Sequence, residues 1–206
     1  LDYYYIKSSN NDANDNFGYS MSIDGDTLAV SATGEASNQN TITNGSTSSD
    51  DNSAAYSGAV YIYTRSGTDW TQQSYIKPSN AVANGGFGSS VSLKGDILVV
   101  GAQGEDSNAT TITNGDNASS DTSVETSGAV YVFKRSGTNW SQIAYIKAVN
   151  ADEDDAFGFK TDLDNSTIVV SANSEDSNST SIINGTTASD NNSNSGNGAA
   201  YVYRFY

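Results

Sequence analysis

The residues of this chain that could do chemistry are oxygen donors. Glu35, Glu105 and Glu175 recur 70 residues apart, each beside a long stretch rich in Asn, Ser, Thr, Asp and Gly. Glu35 shares its stretch with Asp50 and Asp51, Glu105 with Asp106 and Asp121, and Glu175 with Asp176 and Asp190. Carboxylates, Asn side chains and backbone carbonyls are the ligands a hard cation takes, so these nine acids are candidate calcium ligands and calcium is the candidate cofactor. The plainer reading, acidic loops solvated on an acidic chain, stands beside it. A second acidic run precedes Phe17 ("NNDANDNFG") and Phe157 ("NADEDDAFG"), but the copy before Phe87 reads "NAVANGGFG". A solvated charge run is the expectation there. The sequons at Asn44, Asn108, Asn178 and Asn184 are candidate glycosylation acceptors, although a chain this rich in Asn, Ser and Thr also produces such triplets by chance.

The missing residue types exclude more. There is no His and no Cys among the 206 residues. Thiol nucleophiles, disulfides, thiolate or imidazole metal sites and the usual proton shuttle near neutral pH are therefore absent. No Gly-rich phosphate loop follows a strand and no G-x-S-x-G elbow occurs. A carboxylate pair could hydrolyse glycosides, yet no pair stands out, and an enzyme is the least favoured class. A net charge of -15 disfavours nucleic acid or an anionic membrane as partner. No run approaches the apolar length that spans a bilayer. Residues 1–10 carry neither a basic nor an apolar signal-peptide region, so a secretion signal is either absent or already removed.

An internal repeat sets the places of these acids. Phe17-Gly18, Phe87-Gly88 and Phe157-Gly158 share the 70-residue spacing, as do Tyr5, Tyr75 and Tyr145, and Gly58, Gly128 and Gly198. The chain reads as one repeat domain over 1–206, with repeat cores at about 17–79, 87–149 and 157–206.

Within a copy the periodicity is that of strands. "FGSSVSL" alternates and meets "ILVVGA" through a Lys94-Gly95-Asp96 turn; Asp24-Gly25 and Asp164-Asn165 occupy the same place and tolerate positive φ. The third strand is "GAVYVFKR" and the fourth "NWSQIAYIK". Val130 and Val132 point one way, Tyr131 and Phe133 the other, so both faces are apolar. A sheet covered on both sides fits this better than a two-sheet sandwich. No sustained 3.6-residue period predicts helix.

"FGSSVSLKGDILVVGA", followed by "SGAVYVF" and the later Trp-Ser-Gln, resembles the FG-GAP repeat, the blade unit of integrin-α-type β-propellers and of many bacterial surface proteins. The resemblance covers all three copies. It implies an all-β chain of three tandem four-stranded antiparallel propeller-type blades. Two departures stand out. The DxDxDG calcium hairpin of integrins has no counterpart, because "IDGD", "LKGD" and "LDNS" are too short, and Thr33, Gln103 or Asn173 replaces the Pro of the GAP signature.

The long polar stretches have the composition of flexible loops. Their repeated Glu35, Ser37, Asn38, Ile42, Asn44 and Gly45 favour an ordered Ω-like loop pinned by Ile42, Ile112 and Ile182. Tyr61, Tyr131 and Tyr201, with Trp70 and Trp140, read as packing residues rather than a sugar-binding surface. The repeated Lys7, Lys77 and Lys147 suggest pairing with a loop carboxylate such as the repeated Glu.

Residues 1–9 ("LDYYYIKSS") read as a fourth strand without its own first three, and the carboxy-terminal "GAAYVYRFY" as a third strand without its fourth. Strand exchange between the two ends is the expectation, with Tyr3, Tyr5, Ile6, Tyr201, Val202 and Tyr203 as the assembly strands. It could occur within a chain or between chains, in a ring or a filament. The functional expectation is a secreted, extracellular or cell-surface structural and adhesive protein whose partner is itself. The alternative is a calcium-dependent module binding an extracellular glycan or protein.

Overall fold

The computed structural model describes residues 3–205 and is all-β. Each copy starts with a hairpin: β1 (Phe17–Asp24) with β2 (Thr27–Ala32), β6 (Phe87–Lys94) with β7 (Ile97–Ala102), and β11 (Phe157–Asp164) with β12 (Thr167–Ala172). Gly25, Gly95 and Asn165 sit at φ of +58°, +57° and +51°, the left-handed backbone that a two-residue turn between twisted strands requires. After the long polar loop the chain returns as β4 (Ala59–Ser66), β9 (Ala129–Ser136) or β13 (Ala199–Arg204). In the first two copies it then turns back as β5 (Asp69–Ile76) or β10 (Asn139–Ile146).

Two short strands lie within the stretches expected to be loop. β3 (Thr43–Asn44) pairs with β5, and β8 (Ile112–Asn114) pairs with β10. The antiparallel sheets thus run β1-β2-β4-β5-β3, β6-β7-β9-β10-β8 and β11-β12-β13. The third has three strands among the described residues, and no sheet closes on itself. Of the strand expected over residues 1–9, residues 3–9 are in no strand; Leu1 and Asp2 lie outside the described residues, as does Tyr206 at the other end. Tyr3 and Tyr5 are 89 % and 83 % exposed, and among the described residues the two ends do not pair within the chain.

The sheets stack with the second in the middle. Val91 and Leu93 donate their N–H groups to Ser20 Oγ and Ser22 Oγ of β1, at 3.1 and 3.0 Å. On the opposite side Ser92 Oγ of β6 donates to the Thr161 carbonyl of β11 at 2.9 Å. Position in the stack, not sequence, sets burial. β6 is buried along its length up to Lys94, whereas β1 and β13 alternate between exposed and half-buried residues because one face of each lies open.

Glycine makes the close approach possible. The Phe157 N–H donates to the Ser127 carbonyl at 3.1 Å, and a Cβ at Gly128 (φ +80°) would stand 2.1 Å from the Phe157 oxygen. Gly88 (φ +93°) lies at the break in β6–β7 register between Phe87 and Ser90, where a Cβ would meet Ser31 Cβ at 2.7 Å. The Phe-Gly pair is therefore a bulge in the first strand that brings it down onto the preceding sheet.

Of the three expected isoleucine pins only the first is in place. Ile42 packs on the core, but Ile112 is 50 % and Ile182 92 % exposed. The loops are ordered by polar contacts instead.

Candidate functional site

Those contacts converge on the repeated glutamate. The first turn after β2 buries Glu35, 1 % exposed, under the third and fourth strands. Its Oε1 accepts from Tyr75 Oη at 2.7 Å and Asn10 Nδ2 at 3.3 Å, and its Oε2 from Lys77 Nζ at 2.9 Å and the Ser37 N–H at 3.2 Å. The Lys77 ammonium also donates to Ser57 Oγ and the Gly58 carbonyl, both at 2.7 Å. All three of its N–H groups are thereby used. Strand alternation explains the arrangement: Tyr75 and Lys77 are two apart at the end of the fourth strand, so both side chains reach the same face.

The middle sheet repeats the hub. Glu105 accepts from Tyr145 Oη at 2.8 Å, Lys147 Nζ at 2.7 Å, Asn80 Nδ2 at 3.1 Å and the Ser107 N–H at 3.2 Å. Burial pulls both ammonium groups below the ordinary lysine range, and the adjacent carboxylates oppose that pull. Burial and the same carboxylates hold the Tyr75 and Tyr145 hydroxyls well above their usual range. The expected pairing of Lys77 and Lys147 with the repeated Glu is therefore present, whereas Lys7 is exposed.

The third hub is incomplete. Glu175 is 4 % exposed and accepts from Asn150 Nδ2 at 3.0 Å and the Ser177 N–H at 3.1 Å. Among the described residues no lysine or tyrosine takes the places of Lys77 and Tyr75 beside it. Asn197 replaces the serine of the other two hubs and donates to the Ser177 carbonyl.

The other acids named as calcium ligands are spread out. Asp50 and Asp190 are exposed. Asp51 accepts from the Asn38 N–H at 2.9 Å and Asp121 from the Asn108 N–H at 3.1 Å, each also bonding the serine two residues on. Those bonds hold both carboxyls below the usual aspartate range. Asp106 and Asp176 accept from the Thr126 and Gly196 N–H groups, at 2.8 and 2.6 Å. Among the described residues no three acidic side chains gather where they could hold an ion. In this arrangement Glu35 and Glu105 are engaged by Lys77 and Lys147, and Asp51, Asp106, Asp121 and Asp176 by backbone N–H groups.

The second acidic run is solvated only in part, with Asp12, Glu153 and Asp154 exposed. Asp15 and Asp155 are buried and accept from the N–H groups of Asp12 and Asp152, at 3.1 and 2.9 Å. Burial first, then neighbouring acids including Asp152, Glu175 and Asp176, pushes the Asp155 carboxyl up to about 6. Sequence reading also missed Asn10, Asn80 and Asn150, which accept from Tyr61, Tyr131 and Tyr201 and donate to the three glutamates. Their 70-residue spacing was the available signal.

Of the sequon asparagines, Asn108, Asn178 and Asn184 are exposed. Asn44 is exposed too and also fastens two sheets: its Oδ1 accepts from the Trp140 N–H at 2.8 Å and its Nδ2 donates to the Trp140 carbonyl at 3.3 Å. Trp140 is buried against that junction, with the Arg135 guanidinium 5.3 Å over its ring, in keeping with a packing role.

No curated protein matches the chain. The family model described as the FG-GAP repeat matches residues 5–47 and 70–133. The first match runs from Tyr5 through β1, β2 and the loop, and the second from Trp70 on β5 to Phe133 on β9. Each takes in a Phe-Gly bulge and a buried loop glutamate. These matches cover just over half of the sequence, and the chain belongs to the FG-GAP repeat family.

Proposed function

We propose that this chain is a non-catalytic structural and adhesive repeat module of the extracellular space or cell surface, built from propeller-type blades and assembling with copies of itself. One observation carries the reading: both ends of the stack present unpartnered apolar surface. On β1, Tyr19, Met21 and Ile23 are 54 %, 63 % and 61 % exposed, although their counterparts Ser89, Val91 and Leu93 on β6 are buried. At the other end Val169 and Val202 are 39 % and 69 % exposed. Repeats that bury their faces against neighbours leave such ends until another repeat covers them. The hubs add support, since their carboxylates are bound into ion pairs and hydrogen bonds that fasten loops to strands. Among the described residues no helix is long and apolar enough to cross a membrane.

Light scattering across a concentration series, with electron microscopy of the concentrated sample, tests the reading. Mass that grows with concentration, in rings or fibres, is expected, and a concentration-independent monomer overturns self-assembly. A calcium-dependent binding module is the weaker alternative, since its ligands would have to abandon the contacts described above.

A further inference from the structure

We infer that the third sheet is completed by residues Tyr3–Lys7 of a second copy of this chain, added to β13 as a fourth strand, with Tyr5 and Lys7 closing on Glu175. The inference rests on the self-assembly reading and names its contact.

The socket comes first. Glu35 and Glu105 each receive a tyrosine hydroxyl and a lysine ammonium from the fourth strand of their own sheet. Glu175 is as deeply placed and has neither among the described residues. A buried carboxylate without a cation is costly. The third strand beside it, β13, pairs on one side only, with β12.

The plug matches it residue for residue. Tyr5 and Lys7 stand 70 residues before Tyr75 and Lys77, and both are exposed. The register carries over as well. Tyr75 faces Tyr61 and Ile76 faces Val60; Tyr145 faces Tyr131 and Ile146 faces Val130. The same spacing sets Tyr5 opposite Tyr201 and Ile6 opposite Ala200. It would place the Tyr5 ring against Tyr201 as Tyr75 lies against Tyr61, at 5.3 Å between centroids.

The chain's own amino-terminal segment does not reach β13, whereas that of a second copy can. Three residues after Lys7, Asn10 is tied into the first sheet through Glu35 and the Ser49 carbonyl. β6 lies between β1 and β11. Three extended residues reach about 10 Å, while two sheet-to-sheet steps need about 20 Å. Docking from a neighbour has no such conflict. It would lay the neighbour's open β1 face on the Val169 and Val202 face, as the first sheet already lies on the second.

The chain contains no cysteine, so introduced thiols report the contact cleanly. An Ile6→Cys chain mixed with an Ala200→Cys chain under mild oxidation is expected to give a covalent heterodimer that neither chain forms alone. Lys7→Met and Glu175→Gln should each weaken assembly at least about tenfold in sedimentation, and Lys7→Glu with Glu175→Lys in one chain should restore it. If the unmodified protein stays monomeric, the self-assembly reading itself fails. If it assembles but the variants assemble equally well and no heterodimer forms, that reading stands and this contact is wrong. An intrachain disulfide in an Ile6→Cys/Ala200→Cys chain, leaving a monomer, assigns the strand to the same chain and also overturns the inference.

Discussion

Removing the Lys77 ammonium tests whether the buried hubs hold the loops to the sheets. Lys77→Met keeps most of the apolar stem but leaves Glu35 Oε2, Ser57 Oγ and the Gly58 carbonyl without their donor. Stranding one member of a buried ion pair costs about 3–5 kcal/mol. For a chain of this length that is a fall in Tm on the order of 10 °C. Glu35→Gln alone leaves the ammonium with a neutral partner and should also destabilise. In Glu35→Gln/Lys77→Met no buried charge remains, so the loss should fall short of the sum of the singles by about 1–3 kcal/mol. Thermal and urea unfolding at pH 7, followed by circular dichroism at a concentration where the protein is monomeric, measures all three. A Lys77→Met loss below about 1 kcal/mol, or strictly additive singles, would refute the claim that the pair fastens the loop.

Three further outcomes follow from the same geometry. Gly128→Ala should cost more than about 2 kcal/mol in urea, since its Cβ would collide with the Phe157 backbone, whereas Gly115→Ala (φ +95°), with nothing within 4 Å, should cost about 1 kcal/mol. Because the Asp155 carboxyl is raised to about 6 when folded, the folded state binds more protons between about pH 4 and 6. Stability should therefore fall as pH rises through that window, and Asp155→Asn should flatten the profile and raise stability at pH 8 by about 1–2 kcal/mol after allowance for solvent screening. Chelation, or added calcium, should leave the melting temperature unchanged; a rise of several degrees with calcium would reveal a site made by rearranged loop carboxylates.

The sequence by itself determined the repeat, and with it every element whose physics is local. Alternation in "FGSSVSL", the positive-φ residues at Gly25, Gly95 and Asn165, and the two-faced pattern of "GAVYVFKR" each depend on near neighbours. They lead to antiparallel strands with two apolar faces, both of which are covered in the middle sheet. The Lys77–Glu35 pairing was also legible, because Lys147–Glu105 repeats its spacing and ties the two residues to one geometry. Tertiary structure decided the rest. Asp15 and Asp155 look like surface charge in sequence, yet the packing of their loops against the sheet buries them. The loop carboxylates look convergent along the chain, but backbone N–H groups reach them first. Most telling, Val91 is buried and Met21 exposed at equivalent positions, and Glu105 is paired where Glu175 lacks a cation among the described residues. A repeat can specify which surfaces want partners, but only the stacking of sheets decides which of them have one.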